Sequence, residues 1–242
     1  MERFLSKTHV LIPPKVKPMT LLVKSLTVGA LGTNCFVAWC EKTKEAVVID
    51  PGFSTEAEGK KTVLHTVDAN GLGVKYIINT HGHADHTSGN GVVKKATGAS
   101  ILIHELDAPL LGESGKDWAS MFGYELISPP ADKTLKEGDT VGFGKQTLTT
   151  LHTPGHTPGG ISLVGTDCVF VGDTLFQGSI GRTDFPGGDY KTLIRSIKEK
   201  LAVLPDNFTV YTGHGPTTTI GTEKRNNPFL LSPELYSPED EE

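Results

Sequence analysis

The sequence is short of cysteine, of long apolar runs and of clustered basic residues, and each shortage removes a class of protein. Its three cysteines, Cys35, Cys40 and Cys168, form no CxxC pair, so neither a disulfide framework nor a thiolate zinc knuckle is on offer. A reducing compartment, and with it a cytoplasmic location, is the expectation. The uncharged run over residues 25–40 is interrupted by Gly29, Gly32 and Asn34 and falls short of the ~20 apolar residues that span a bilayer. No transmembrane segment and no membrane partner are expected. Lys and Arg total 23 against 28 Asp and Glu, with no basic cluster, which argues against nucleic acid as a partner because phosphate neutralisation needs a basic face.

Glycine and histidine, by contrast, are plentiful, at 28 and 9 residues in a chain of 242. The apolar share of 37% rises to about 49% once Gly is counted, within the range of folded globular domains. A single domain of this length buries roughly 70–75% of its unfolded surface and needs no covalent staple. Residues 1–18 carry four basic residues, one acidic residue and three prolines without a signal-type apolar core, so they are read as an extension outside the fold, with Met19 as an alternative start. Residues 19–231 form the expected domain. Residues 232–242 are acidic and contain proline, which reads as a frayed tail.

Along the domain, β-type runs at 20–28, 34–39 and 46–49 alternate with Gly, Asn or charged turns and predict a meander. A helix is expected over 55–69, a strand over 75–79, a helix over 90–97 and a strand over 100–103. The stretch 105–132 is irregular, with Trp118, Met121, Phe122 and Tyr124 among Gly and Pro; it reads as packing material or a lid. Further strands are expected at 146–151, 161–164, 168–171 and 209–211. Before the last lies a helix capped by Asp189, with Ile194, Ile197, Leu201 and Leu204 at helical spacing.

The strand over 75–79 runs into THGHADH, which offers His81, His83, Asp85 and His86 within six positions. Side chains two apart in extended backbone point the same way, so His81 and His83 can converge on one ion. Three more donors follow other strand-like runs: His156 in HTPGHTPGG, Asp173 after CVFVG, and His214 in GHGP. Five histidines and two aspartates suffice for two cations. Imidazole with carboxylate suits zinc, manganese or iron, whereas calcium or magnesium favours oxygen donors. His9, His65, His104 and His152 have no such spacing and read as structural or solvated.

At these residues the chain resembles the metallo-β-lactamase superfamily. The HxHxDH loop is matched by His81, His83, Asp85 and His86, and the opening strands, VIDPG turn, HTPGHTPG loop and strand-terminal GD by residues 33–36, 48–52, 152–159 and 172–173. The resemblance implies an α+β fold, an αβ/βα sandwich of two facing mixed sheets with outer helices. It implies a first metal on His81, His83 and His156, a second on Asp85, His86 and His214, and Asp173 bridging them. Two divalent ions, zinc by expectation with iron or manganese as alternatives, imply hydrolysis by a bridging hydroxide, with Asp85 orienting the nucleophile. A complete second donor set departs from the lactamase pattern and is similar to the glyoxalase II group, as are LFQGSIGRTDFPGGD at 175–189 and the later GTEKRNNPFL.

Arg182 matches a basic residue that contacts glutathione carboxylates in that group; the other reading of Arg182 is a loop-closing pair with Asp184. No spare acid stands in the motifs, which favours a thioester, since a thiolate leaves without one. The chain ends soon after Asn227, Pro228 and Phe229, where long glyoxalase II enzymes continue into a helical extension, so a broader thioesterase acting on small-molecule S-acylglutathione such as S-lactoylglutathione is expected. The alternatives are a mononuclear iron persulfide dioxygenase, a broad esterase or lactonase of the same superfamily, and a non-catalytic scaffold.

Overall fold

The computed structural model describes residues 21–112, 116–121, 123–124 and 128–236; the N-terminal extension with Met19, the side chains of Trp118, Met121 and Phe122, and the tail beyond Tyr236 lie outside the described residues. Two six-stranded mixed sheets face one another. The first runs β1 (Leu21–Val28), β2 (Thr33–Cys40), β3 (Glu45–Ile49), β4 (Gly73–Ile78), β5 (Ser100–His104) and β6 (Lys133–Leu135) in spatial order. Its first three strands pair antiparallel as a meander, and β3 to β6 pair in parallel, since helices rather than tight turns connect most of them.

The second sheet has the spatial order β14 (Thr218–Thr219), β13 (Thr209–Thr212), β10 (Cys168–Gly172), β9 (Ile161–Val164), β8 (Gln146–His152) and β7 (Thr140–Phe143). A hairpin of β11 (Leu175–Phe176) and β12 (Ser179–Ile180) stands apart. The expected strands and helices are present. What the sequence pattern left out includes β6, β7, β14, the hairpin and the helices Ala84–Thr87, Lys116–Met121, Ile220–Asn226 and Pro228–Leu231. Most are too short to show a period, and Gly142 interrupts β7.

Alternation along two strands divides the core into layers. On β2, Cys35, Val37 and Trp39 face the helices of the first sheet while Phe36 and Ala38 face the second sheet. On β10, Cys168 and Phe170 enter the intersheet core while Val169 and Val171 face the outer helix. Both strands are buried throughout, as period-two side chains require when each face of a sheet is covered. The outer helix of the second sheet, Tyr190–Ser196 continuing through Ile197–Leu201, starts where Asp189 Oδ1 accepts from Thr192 N at 2.7 Å. It buries Ile194, Ile197 and Leu201. After residue 231 the chain remains in contact with the body: Tyr190 Oη donates to Pro233 O at 2.7 Å, and the rings of Phe229 and Tyr236 lie 4.4 Å apart.

Candidate metal centre

Strand register decides which loops meet. Parallel pairing of β3 with β4 ends at Ile49 opposite Ile78, so Asp50 emerges beside the loop that carries His81 and His83. Parallel pairing of β10 with β13 sets Gly172 against Thr212, so Asp173 and His214 leave the second sheet side by side. Gly172 has φ +50, and a side chain there would run into Thr80. A side chain at Gly213 would run into Asp173 Oδ1 and His86. Glycine is therefore required at both positions for the two sheets to close on each other.

All seven donors expected from the sequence come together where the sheets meet. Ligand atoms of His81, His83 and His156 lie within 4.8 Å of one another, as do those of His81, His86 and Asp173, and those of Asp85, His86 and His214. Asp173 reaches toward both sides: Oδ1 is 3.4 Å from His86 Nε2, and Oδ2 is 3.7 Å from His156 Nε2 and 3.5 Å from His214 Nε2. His83 Nδ1 faces His156 Nε2 at 3.0 Å, and His86 Nε2 faces His214 Nε2 at 3.3 Å.

Hydrogen bonds behind the cluster fix which ring nitrogen points inward. Asp50, buried and at φ +50, accepts from Thr80 N at 2.8 Å, from Thr80 Oγ1 at 2.6 Å and from His86 Nδ1 at 3.0 Å. The single hydroxyl proton of Thr80 is thereby committed to Asp50, so the 3.1 Å contact between Thr80 Oγ1 and His81 Nδ1 has His81 as donor. One carboxylate thus sets two histidines with Nε2 turned into the cluster, directly for His86 and through Thr80 for His81. His156 Nδ1 donates to Arg182 O at 2.7 Å, which orients the third ring.

Charge follows from this packing. Burial opposes a proton on His81, and the neighbouring His86, His83 and His156 add to the effect, so its pKa falls well below the ordinary histidine range. His83 is lowered to about 4, by burial first and then by His156. Burial acts the same way on His86, but Asp85, Asp173 and Asp50 outweigh it and raise that group. Asp85 and Asp173 are lowered because adjacent histidines overcome the cost of burying a carboxylate. His81 and His83 thus favour the neutral imidazole that a divalent cation requires, whereas His86 and His214, raised by the neighbouring carboxylates, must release a proton when a cation binds.

The cluster also fits a cation through what it leaves unmet. Among the described residues, His81 Nε2 and Asp173 Oδ1 are buried without a hydrogen-bond partner, a costly arrangement unless a cation takes both. The donors are nitrogen and oxygen with no thiolate, which matches divalent first-row metals.

Arg182 is not one of the clustered donors. It lines the adjoining cavity, but its Nε and Nη2 each donate to Asp184 at 2.7 Å and its guanidinium sits 3.6 Å over the Phe185 ring. The loop-closing pair is therefore present, at a position that also faces the cavity. His104 and His152 stack on each other at 4.2 Å and belong to none of the donor groups. Sequence reasoning missed Asp50, Thr80, Thr33 and Asn34 as supports. Thr33 Oγ1 donates to Asp85 Oδ2 at 3.2 Å, and Asn34 Nδ2 donates to Thr212 O and Gly215 O at 3.0 and 2.8 Å. Their signal was the strand-end position of Asp50 in VIDPG and of Thr33 and Asn34 at the start of β2.

Comparison with known proteins agrees with this geometry. The description Metallo-beta-lactamase superfamily matches residues 28–214. Hydroxyacylglutathione hydrolase GloC of Haemophilus influenzae is 39% identical over 214 residues, covering 87% of this chain and 98% of that one. The mitochondrial persulfide dioxygenase ETHE1 of Mus musculus is 35% identical over 205 residues, covering 82% and 71% respectively. A crystal structure of TTHA1623 in a di-iron-bound form superposes with a TM-score of 0.76 at 38% identity, covering 86% of this chain and all of the other. Among the described residues no helix is long and apolar enough to cross a membrane.

Proposed function

The chain belongs to the metallo-beta-lactamase superfamily, and from that premise we propose that it is a binuclear thioester hydrolase acting on S-acylglutathione, S-lactoylglutathione among them. The observation that carries this reading is the seven-donor cluster, in which Asp173 stands between one group of three histidines and a second group of Asp85, His86 and His214. In this reading His81, His83 and His156 hold one ion, Asp85, His86 and His214 hold the other, and Asp173 is shared. Zinc is the proposed metal; the di-iron form of TTHA1623 supports iron as an alternative in the same donors. Bound divalent cations supply Lewis acidity, making water more acidic and an acyl carbonyl more electrophilic.

The protein's own groups supply the rest. Asp85, kept ionised by His86 and His214 and steadied by Thr33, accepts a hydrogen bond from the attacking water and turns its lone pair toward the acyl carbon. The acyl C–S bond breaks, a C–O bond forms, and a carboxylic acid and a free thiol leave with no net oxidation. A thiol ionises near pH 8.5, so the leaving group needs no dedicated acid. Arg182 is the proposed contact for a substrate carboxylate, which must displace Asp184 to reach its guanidinium fork.

The likeness to a persulfide dioxygenase favours a second reading, an oxygen-consuming reaction on a single iron. Incubation of metal-loaded protein with S-lactoylglutathione separates the two: thiol release supports the hydrolase, and oxygen uptake with glutathione persulfide in its place supports the dioxygenase.

A further inference from the structure

His83 lines two cavities. One, of about 370 Å³, also contains Asp85, Asp173, His214 and Arg182. The other, of about 160 Å³, lies between the loop after β5 and the loop that carries His156. Leu106, Pro109, Leu110, Pro158 and Pro186 give it walls that are apolar and, with three prolines, stiff. Leu110 presses so closely on the backbone at Gly82 that a side chain there would strike it.

The polar groups of the smaller cavity say what it excludes. Among the described residues no Lys or Arg lines it. Asp107 does, fully buried, with Oδ2 accepting from Gly82 N at 2.9 Å and Oδ1 from Gly159 N at 2.6 Å. That carboxylate ties together the loops holding His83 and His156, and it repels another anion placed beside it. Thr157, also a lining residue, is buried and its Oγ1 has no hydrogen-bond partner among the described residues. An apolar cavity of roughly 150 Å³ accommodates a molecule the size of benzene.

We propose that this smaller cavity is an acyl-group subsite, which takes the compact, uncharged, apolar end of an acyl chain whose carbonyl lies at the donor cluster. The inference rests on the thioester-hydrolase reading above. The thiol half of an S-acylglutathione is long and carries carboxylates, so it fits neither the volume nor the charge of this cavity and stays in the larger one beside Arg182. The acyl half remains for the smaller cavity, and substrates with a phenyl or branched aliphatic acyl group are favoured over acetyl.

Two measurements on the zinc-loaded full chain test this. In the first, protein with 13C-labelled leucine methyls is titrated with benzene. The Leu106 and Leu110 resonances are expected to shift saturably, and the Leu110 shift to vanish in Leu106→Trp, where the larger side chain fills the cavity from a position that is 53% exposed and so outside the core. In the second, the ratio of kcat/KM for S-benzoylglutathione to that for S-acetylglutathione is expected to be at least tenfold and to fall at least tenfold in Leu106→Trp. Thioester cleavage without saturable shifts, and with an acyl ratio unchanged by the substitution, overturns the subsite. Saturable shifts in a protein that cleaves no thioester uphold an apolar site and overturn the hydrolase reading. The wild-type titration decides the matter for the cavity even if the variant does not fold.

Discussion

Asp50 holds His86 directly and His81 through the Thr80 hydroxyl, so one buried side chain sets the tautomers of two proposed ligands. Asp50→Asn keeps the shape, and Asn tolerates the positive φ, but the amide lacks the second carboxylate acceptor. Metal affinity in this variant, measured by competition with a chromophoric chelator, is expected to fall about 10- to 100-fold, the usual effect of removing an orienting partner, while far-UV circular dichroism stays unchanged. Asp173 makes a different prediction, because its two oxygens face different histidines. Asp173→Ala is expected to lose metal from both positions in elemental analysis, whereas a donor belonging to one ion alone would leave the other in place. His156, Asp173 and His214 were legible in the sequence because each follows a strand-like run beside Gly or Pro, and His81, His83, Asp85 and His86 because four donors crowd six positions after a strand. Asp50 and Thr80 were not, since a carboxylate that touches no ion carries no ligand spacing of its own.

At the scale of elements, parallel pairing of β10 with β13 and the staple from Asn34 determine where His214 stands. Asn34 Nδ2 holds the GHGP loop at Thr212 O and Gly215 O while its backbone N–H donates to Gly213 O at 2.7 Å. Asn34→Ala leaves the buried Thr212 carbonyl without that donor, at a cost of about 1–3 kcal/mol, and frees the Gly215 carbonyl to solvent. Urea denaturation should show that loss, and metal analysis a lowered content at the position His214 helps to form. The main strands and the Asp189-capped helix were readable from period-two and helical spacing. The two-residue strands of the β11–β12 hairpin were not, because tertiary contacts fix them: Asn227 Nδ2 donates to Ser179 O at 2.9 Å, and Gly178 N donates to Glu223 at 2.8 Å. Such contacts join residues more than forty positions apart and leave no local pattern.

For the whole molecule, the donor cluster is a seam. His81, His83, Asp85 and His86 extend from the first sheet, while His156, Asp173 and His214 extend from the second. Cations held there cross-link the two halves only in the folded state, so they stabilise it by mass action, by about 4 kcal/mol when metal is present at a thousandfold excess over its dissociation constant. A chelator is accordingly expected to lower the thermal midpoint, and added zinc to restore it. The sandwich itself was legible only through family resemblance, since strand periods do not say which sheets face each other. The intersheet core, which joins Phe36 and Ala38 of β2 to Cys168 and Phe170 of β10, supplies that answer, and the register of β3 with β4 and of β10 with β13 places the proposed chemistry at the seam. The most direct test of that chemistry is the rate of thiol release from S-lactoylglutathione by zinc-loaded protein, measured with and without oxygen. A hydrolase releases one thiol per acyl group at the same rate under argon and in air; absence of thiol release in both, together with oxygen consumption when the iron-loaded protein meets glutathione persulfide, would contradict the account.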